Sequence, residues 1–268
     1  MPECVGVGLM STCEELPNFR DLGGIASVDG RVVEWGRLFR SGLISRTTPS
    51  VGNWVEKLEV VFDLRSASER AGDAGIFSAL GRIRKVTPES QVRLQDAKPI
   101  DWVQRLQAPD FDDERARRMM HGVYRQMPRT LAGVFPALFE HCLSASAGRL
   151  LIHCQAGKDR TGFVCAILLW ALGVPMAEIR RDYLRSSGEF ARTGYMAAML
   201  RQAFHDDIPA RVADAAAVLG DVRAEFLDAS FDQIMRDHGS LDAYLVAVAG
   251  LDERRRRQLR QVLLSDAG

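Results

Sequence analysis

Apolar and polar positions change rhythm twice along the chain. Over the first sixty residues they fall in short runs. Gly23-Gly24 leads into Ile25 to Val28, Asp29-Gly30 is a strong two-residue turn signal, and Arg31 to Arg40 alternates enough to pair back as a hairpin. Ser50 is placed to cap a short helix running through Lys57, and Glu59 to Leu64 (EVVFDL) is a compact buried-strand candidate. Arg82 to Val86 adds another short strand. From Asp101 onward the spacing turns helical: Phe111 to Met127 is rich in Arg and Glu, and Pro128 to Leu143 carries apolar residues at helical intervals. Arg149 to His153 then predicts a strand, followed by a glycine-containing loop and the apolar helix Thr161 to Leu172. Gly173 stops that helix and Pro175 opens the next, to about Ser187. The remainder reads as wholly helical, with breaks near Gly188, Ile208-Pro209, Gly220 and Gly239.

Strands first and helices afterwards, with one strand feeding a central helix, predict an α/β fold: a small central sheet flanked by helices, with a helical C-terminal third. No repeat, low-complexity segment or linker divides the 268 residues, so 1–268 is expected to form a single domain. Tyr195, Met196, Met199, Leu200 and Phe204 make an apolar stripe at helical spacing, expected to be core. With 35 basic residues against 35 acidic ones, no global field draws the chain to nucleic acid or to a membrane surface. Arg254 to Arg257 are expected to form a solvated helix end.

The apolar run Val5 to Met10 is short, is broken by glycines and has no basic residue before it, which argues against a secretory signal. Phe163 to Val174 is too short to span a bilayer. The expectation is a cytoplasmic protein without stable membrane insertion. Cysteines at 4, 13, 142, 154 and 165 form neither a disulfide framework nor a C-x-x-C pair, and His121, His141, His205 and His238 have no metal spacing. No metal and no cofactor are expected, and oligomeric state leaves no signal.

One segment carries chemistry: His153-Cys154-Gln155-Ala156-Gly157-Lys158-Asp159-Arg160-Thr161-Gly162. A strand ending at His153 and a helix beginning near Thr161 would point the loop N–H groups of Gln155, Ala156, Gly157 and Lys158 into one concavity. The helix's positive end faces the same point, and the combination favours a dianion such as phosphate. A thiol held there loses its proton easily, which makes Cys154 a candidate nucleophile. Arg160, six positions on, has a planar fork suited to two phosphate oxygens. Thr161 would hydrogen-bond the sulfur, and Gly157 and Gly162 permit tight turns and close approach.

The pattern His-Cys-x5-Arg-Thr-Gly resembles the signature loop of the protein-tyrosine-phosphatase superfamily. Ala-Gly-Lys-Asp-Arg within it is similar to a bacterial subgroup of atypical tyrosine and phosphoinositide phosphatases. Asn18-Phe19-Arg20-Asp21-Leu22-Gly23-Gly24 fits the same subgroup, as does Phe62-Asp63-Leu64-Arg65 followed by Glu69. The resemblance implies phosphomonoester hydrolysis through a phosphocysteine, on phosphotyrosine proteins and, in some members, on phosphoserine/threonine or phosphoinositides. It further implies that Lys158 contacts additional ring phosphates, that Arg20 and Asp21 line the pocket, and that helices from a region like 188–218 form a lid. Plainer readings stand beside these: Lys158 as a solvated loop lysine, Asn18 and Asp21 as turn residues.

One expected part is missing. Expelling an alkoxide or phenoxide needs a proton donor, yet between Arg115 and Cys154 the only carboxylate is Glu140. Asp159, inside the loop, and Asp63, at the end of a strand expected to adjoin Leu150 to His153, are the candidates. Two other functions stay open: a phosphate-binding module of the same fold that does not turn over, and sulfur or arsenate chemistry at a reactive cysteine, which leaves Arg160-Thr161-Gly162 unexplained.

Overall fold

The computed structural model describes residues 16–45, 55–72, 75–79, 81–87, 104–144, 148–192, 194–205 and 207–267. Its strands are β1 (Arg20–Asp21), β2 (Val32–Val33), β3 (Leu38–Ser41), β4 (Leu58–Asp63), β5 (Arg84–Val86), β6 (Arg149–His153) and β7 (Leu264–Ser265). A five-stranded sheet runs in the order β1-β3-β6-β4-β5. β3, β6, β4 and β5 are parallel, and β1 pairs antiparallel at the edge.

Leu150-Leu151-Ile152 is an unbroken apolar run because this central strand is covered on both faces. The pleat sends alternate residues to opposite sides. Leu38, Val60, Phe62, Leu150 and Ile152 join the main core, while Phe39, Leu58, Val61 and Leu151 join a smaller cluster with Phe77 and Ile83.

The helices are α1 (Ala67–Gly72), α2 (Asp113–Thr130), α3 (Phe135–Leu143), α4 (Asp159–Ala171), α5 (Met176–Leu184), α6 (Glu189–Arg192), α7 (Tyr195–Phe204), α8 (Ala210–Gly220), α9 (Ala224–His238), α10 (Leu241–Ala249) and α11 (Glu253–Leu263). α4 is apolar almost all round, the signature of a helix buried on every side. α2 starts where Asp112 accepts the Arg115 N–H at 2.8 Å, and it packs against α8 and α9. Met196, Met199, Leu200 and Phe204 pack on the main core, as their spacing predicts. No helix among the described residues is long and apolar enough to cross a membrane.

The hairpin between Ile25 and Arg40 forms, with Ala26 bridged to Val32, Arg20 opposite Arg40, and Gly30 in the left-handed region at φ 85°. Three expectations need correction. Pro128 does not open a helix: α2 runs through it to Thr130, because a proline in the last turn removes one ladder hydrogen bond without ending the helix. The C-terminal third is not wholly helical, since β7 pairs antiparallel with β2 and seals Val33 and Leu264 from water. The arginine run is not uniformly solvated: Arg256 is buried, bonded to Asp242 and to the Trp170 carbonyl, and Arg255 pairs with Glu140. Cys4, Cys13, the run Val5 to Met10 and the Ser50 cap lie outside the described residues.

Candidate active site

The parallel strands β3, β4 and β6 end side by side, with Ser41 and Asp63 both in register with His153. Crevices at the carboxyl ends of such strands are the usual ligand sites of open α/β sheets. The segment Cys154–Lys158 fills the turn from β6 into α4. Cys154 is 2% exposed, and the Gly157 N–H donates to its Sγ at 3.3 Å.

The loop's carbonyls are tied outward. Leu43 N–H donates to Gln155 O at 2.9 Å, and Leu64 N–H donates to His153 O at 2.8 Å. The Gly157 carbonyl accepts from Asn18 Nδ2 at 2.8 Å and from an Arg40 guanidinium nitrogen at 2.9 Å. Gly157 has φ 72°, and a Cβ there would lie 2.4 Å from Gly42 N and 2.5 Å from the Ser41 carbonyl carbon. Only glycine fits. A Cβ on Gly162 would lie 2.8 Å from Cδ2 of Tyr183, so that glycine admits the ring of a neighbouring helix. Lys158, at the N-cap of α4, makes no side-chain bond to the first turn, and the N–H groups of a helix start are ready partners for an anion.

Arg160 rises from the first turn of α4. Its two terminal nitrogens donate to the two carboxylate oxygens of Glu69, each at 2.7 Å, and one also reaches Leu64 O at 3.2 Å. Burial by itself would raise the Glu69 carboxyl; the hydrogen bonds and charge of Arg160 override it and bring it down to about 2.

The two candidate acids differ in their surroundings. Asp63 is gripped by Arg65, whose Nε and terminal nitrogen reach its oxygens at 2.9 and 2.8 Å. Burial pushes the Asp63 carboxyl up, but Arg65, helped by His153, leaves it net lowered. Asp159 accepts from Tyr124 Oη at 2.7 Å and from Lys158 Nζ at 2.9–3.0 Å, and its side chain is partly open to solvent. His153 sits between strands with Nδ1 3.3 Å from Cys154 O, and burial lowers its pKa despite nearby Asp63. At neutral pH it is uncharged and serves as a loop support.

Other expected residues sit differently. Lys158 is buried, not solvated: Nζ donates to Leu219 O at 3.0 Å and Asp221 O at 3.2 Å, at the end of α8. Arg20 is buried in a polar cluster. Its three nitrogens bond to Asn18, Asp182 and Ser186, and burial beside Arg40 lowers its pKa to about 10. Asp21 bonds the N–H groups of Gly23 and Gly36, a turn role. Thr161 Oγ1 is buried and has no hydrogen-bond partner, so the expected bond to Sγ is not made. Gln155 is exposed and Ala156 half-buried at the rim.

Sequence reasoning missed the support beneath the loop. Arg40, 0% exposed, donates to Asp182 at 2.6 Å as well as to Gly157 O. Asp182 therefore lies between two guanidinium groups, Arg20 at 2.7 Å being the other, with Ser186 and Asn18 completing the cluster. Nothing local marks Asp182 or Ser186: each is an ordinary polar residue of a helical stretch far from the loop in sequence.

A model of a tyrosine phosphatase family matches residues 11–265. A protein of Cupriavidus necator named as a tyrosine-protein phosphatase is 34% identical over 236 residues, 87% of this chain and 81% of its own. The triple specificity protein phosphatase PtpB of Mycobacterium tuberculosis is 34% identical over 280 residues, 93% of this chain and 98% of its own.

Proposed function

The chain belongs to the tyrosine phosphatase family, and from that premise we propose that it hydrolyses phosphomonoesters through a phosphocysteine on Cys154. The observation that carries this is the Gly157 N–H on Cys154 Sγ at 3.3 Å, at the mouth of α4, with Arg160 held close by Glu69. Phosphate oxygens would take the loop N–H groups of Gln155, Ala156, Gly157 and Lys158 and the fork of Arg160. Sγ attacks phosphorus, the P–O ester bond breaks, and the leaving oxygen takes a proton. Water then attacks the phosphocysteine, releasing inorganic phosphate and restoring the thiolate. Fixed amides and one guanidinium stabilise the charge spread over three equatorial oxygens. The buried, unpartnered Thr161 hydroxyl would donate to Sγ as the sulfur leaves.

Asp159 is the better proton donor of the two candidates. Asp63 is buried with both oxygens engaged by Arg65, whereas Asp159, though bonded to Tyr124 and Lys158, is partly open to solvent and adjoins Arg160 in the loop itself. The substrates we propose are phosphotyrosine proteins, extending to phosphoserine/threonine or phosphoinositides; the triple specificity named for PtpB supports a broad range. The alternative, a phosphate-binding module without turnover, is disfavoured by the intact Cys154, Arg160 and Thr161. The deciding assay uses para-nitrophenyl phosphate with chelator present. Turnover blocked by vanadate and abolished in Cys154→Ser supports the enzyme; phosphate binding with no turnover in the unaltered protein supports the module.

A further inference from the structure

Two buried hydroxyls lead to Asp159 from outside the loop. Tyr124, on α2, is fully buried, and its Oη donates to Asp159 Oδ1 at 2.7 Å. Tyr183, on α5, stands edge-on to it with ring centroids 6.3 Å apart, and the two hydroxyl oxygens are 2.7 Å apart. Since Tyr124 gives its one proton to the carboxylate, Tyr183 must give its own to Tyr124. Tyr183 lies against the segment just before α9, where the backbone of Arg223 acts to lower its phenol while burial raises it. The chain of donors therefore runs one way: Tyr183, Tyr124, Asp159.

A phenylalanine would fill either site as well in packing terms, and a buried hydroxyl is tolerated only when bonded. Burial first, and then the Asp159 charge, push the Tyr124 phenol well above its ordinary value, so Tyr124 stays a donor and never takes the proton. Burial likewise raises Tyr183. Each donor polarises the next, strengthening the final bond to the carboxylate.

We propose that Tyr124 and Tyr183 are positioning residues for Asp159: a one-way hydrogen-bond chain that fixes its carboxyl and sets how readily it delivers its proton to the leaving group. This rests on the reading of Asp159 as the acid. The other groups facing Asp159 are Lys158 beside it and Arg160 on the same turn, while Arg40 acts on Tyr183. These cations stay in place when a phenol is removed, so the tyrosine contribution can be read separately.

The test is the pH dependence of kcat/KM for para-nitrophenyl phosphate and for phenyl phosphate, in Tyr124→Phe, Tyr183→Phe and Asp159→Asn. A donor that favours the carboxylate limits the acid at high pH. Tyr124→Phe should therefore move the alkaline limb for phenyl phosphate upward by about one pH unit, with KM little changed. Tyr183→Phe should move it the same way by less, and it serves as the second variant should the first fold poorly. Asp159→Asn should cost phenyl phosphate about a hundredfold or more and para-nitrophenyl phosphate far less. If Asp159→Asn shows that contrast while both tyrosine variants only scale the profile down with the limb in place, the chain is structural and the proposal falls alone. If Asp159→Asn penalises both leaving groups equally, the acid assignment falls and takes the proposal with it.

Discussion

Glu69 holds both terminal nitrogens of Arg160, each carboxylate oxygen 2.7 Å from its donor, and so fixes the guanidinium plane at the mouth of α4. Glu69 is itself steadied by the Ser66 N–H at 2.7 Å. An arginine preset in this way does not have to be ordered again when charge develops on phosphorus. Glu69→Gln should lower kcat/KM by about tenfold to a hundredfold, equally for good and poor leaving groups, because it loosens a charge clamp and leaves the proton donor alone. A penalty concentrated on poor leaving groups would instead tie Glu69 to proton transfer.

The same pair predicts an acid limit to stability. Arg160 brings the folded Glu69 carboxyl down to about 2, below its ordinary value of 4.5. Its stabilising contribution is complete above pH 4.5 and is lost as pH falls towards about 2. His153 acts in the same direction from a higher pH, since burial lowers its folded value from 6.5 and the unfolded chain takes up that proton first. Chemical-denaturant midpoints should thus begin to fall below about pH 6.5 and fall more steeply below about 4.5. Glu69→Gln should flatten the lower portion only.

The strands and the loop were legible because each leaves a local mark. Leu150-Leu151-Ile152 is a continuous apolar run, and the residues from His153 to Gly162 place thiol, guanidinium and glycines at fixed spacing. The pairing of Asp63 with His153 followed from two adjacent parallel strands. What stayed hidden was long-range. Asp182 meets Arg40 across 142 residues and Asn18 meets Gly157 across 139, and no periodicity encodes such a meeting. Lys158 and Arg20 carry the right charge for a phosphate pocket, but the direction in which a long side chain turns is settled by tertiary partners: the end of α8 for one, Asp182 for the other.

Asp182 is the keystone of the cluster beneath the loop, a carboxylate held between Arg20 and Arg40. Burial would raise it, and the two arginines bring it below its ordinary value. Asp182→Asn leaves two buried guanidinium groups without a counter-charge and should cost roughly 3–5 kcal/mol of unfolding free energy. Urea denaturation measures this directly. A loss under about 1 kcal/mol would mean that water or a shifted carboxylate replaces the missing charge.

Gly157→Ala tests the loop's shape with little change in its chemistry. The substitution demands a left-handed alanine and drives its methyl into the Ser41–Gly42 backbone. The loop must move away from β3, carrying the Gly157 N–H off Cys154 Sγ. Vanadate affinity should fall at least about tenfold, and alkylation of Cys154 at pH 6 should slow, while the far end of the sheet keeps its stability. Unchanged vanadate affinity would show that the concavity does not depend on this backbone conformation.

Lys158 offers the last test, because its position decides between two tasks. Nζ caps the Leu219 and Asp221 carbonyls at the negative end of α8, a favourable place for a cation. Removing it in Lys158→Met should speed amide exchange in residues 219–223 by about tenfold, since the junction between α8 and α9 loses its tie to the loop. If Lys158 also serves a second substrate phosphate, it must first release those carbonyls. A headgroup carrying two or more phosphates would then speed exchange over 219–223 in the unaltered protein, whereas inorganic phosphate alone would not. Equal exchange with both ligands would assign Lys158 to holding the helix junction and leave substrate recognition to the loop amides and Arg160.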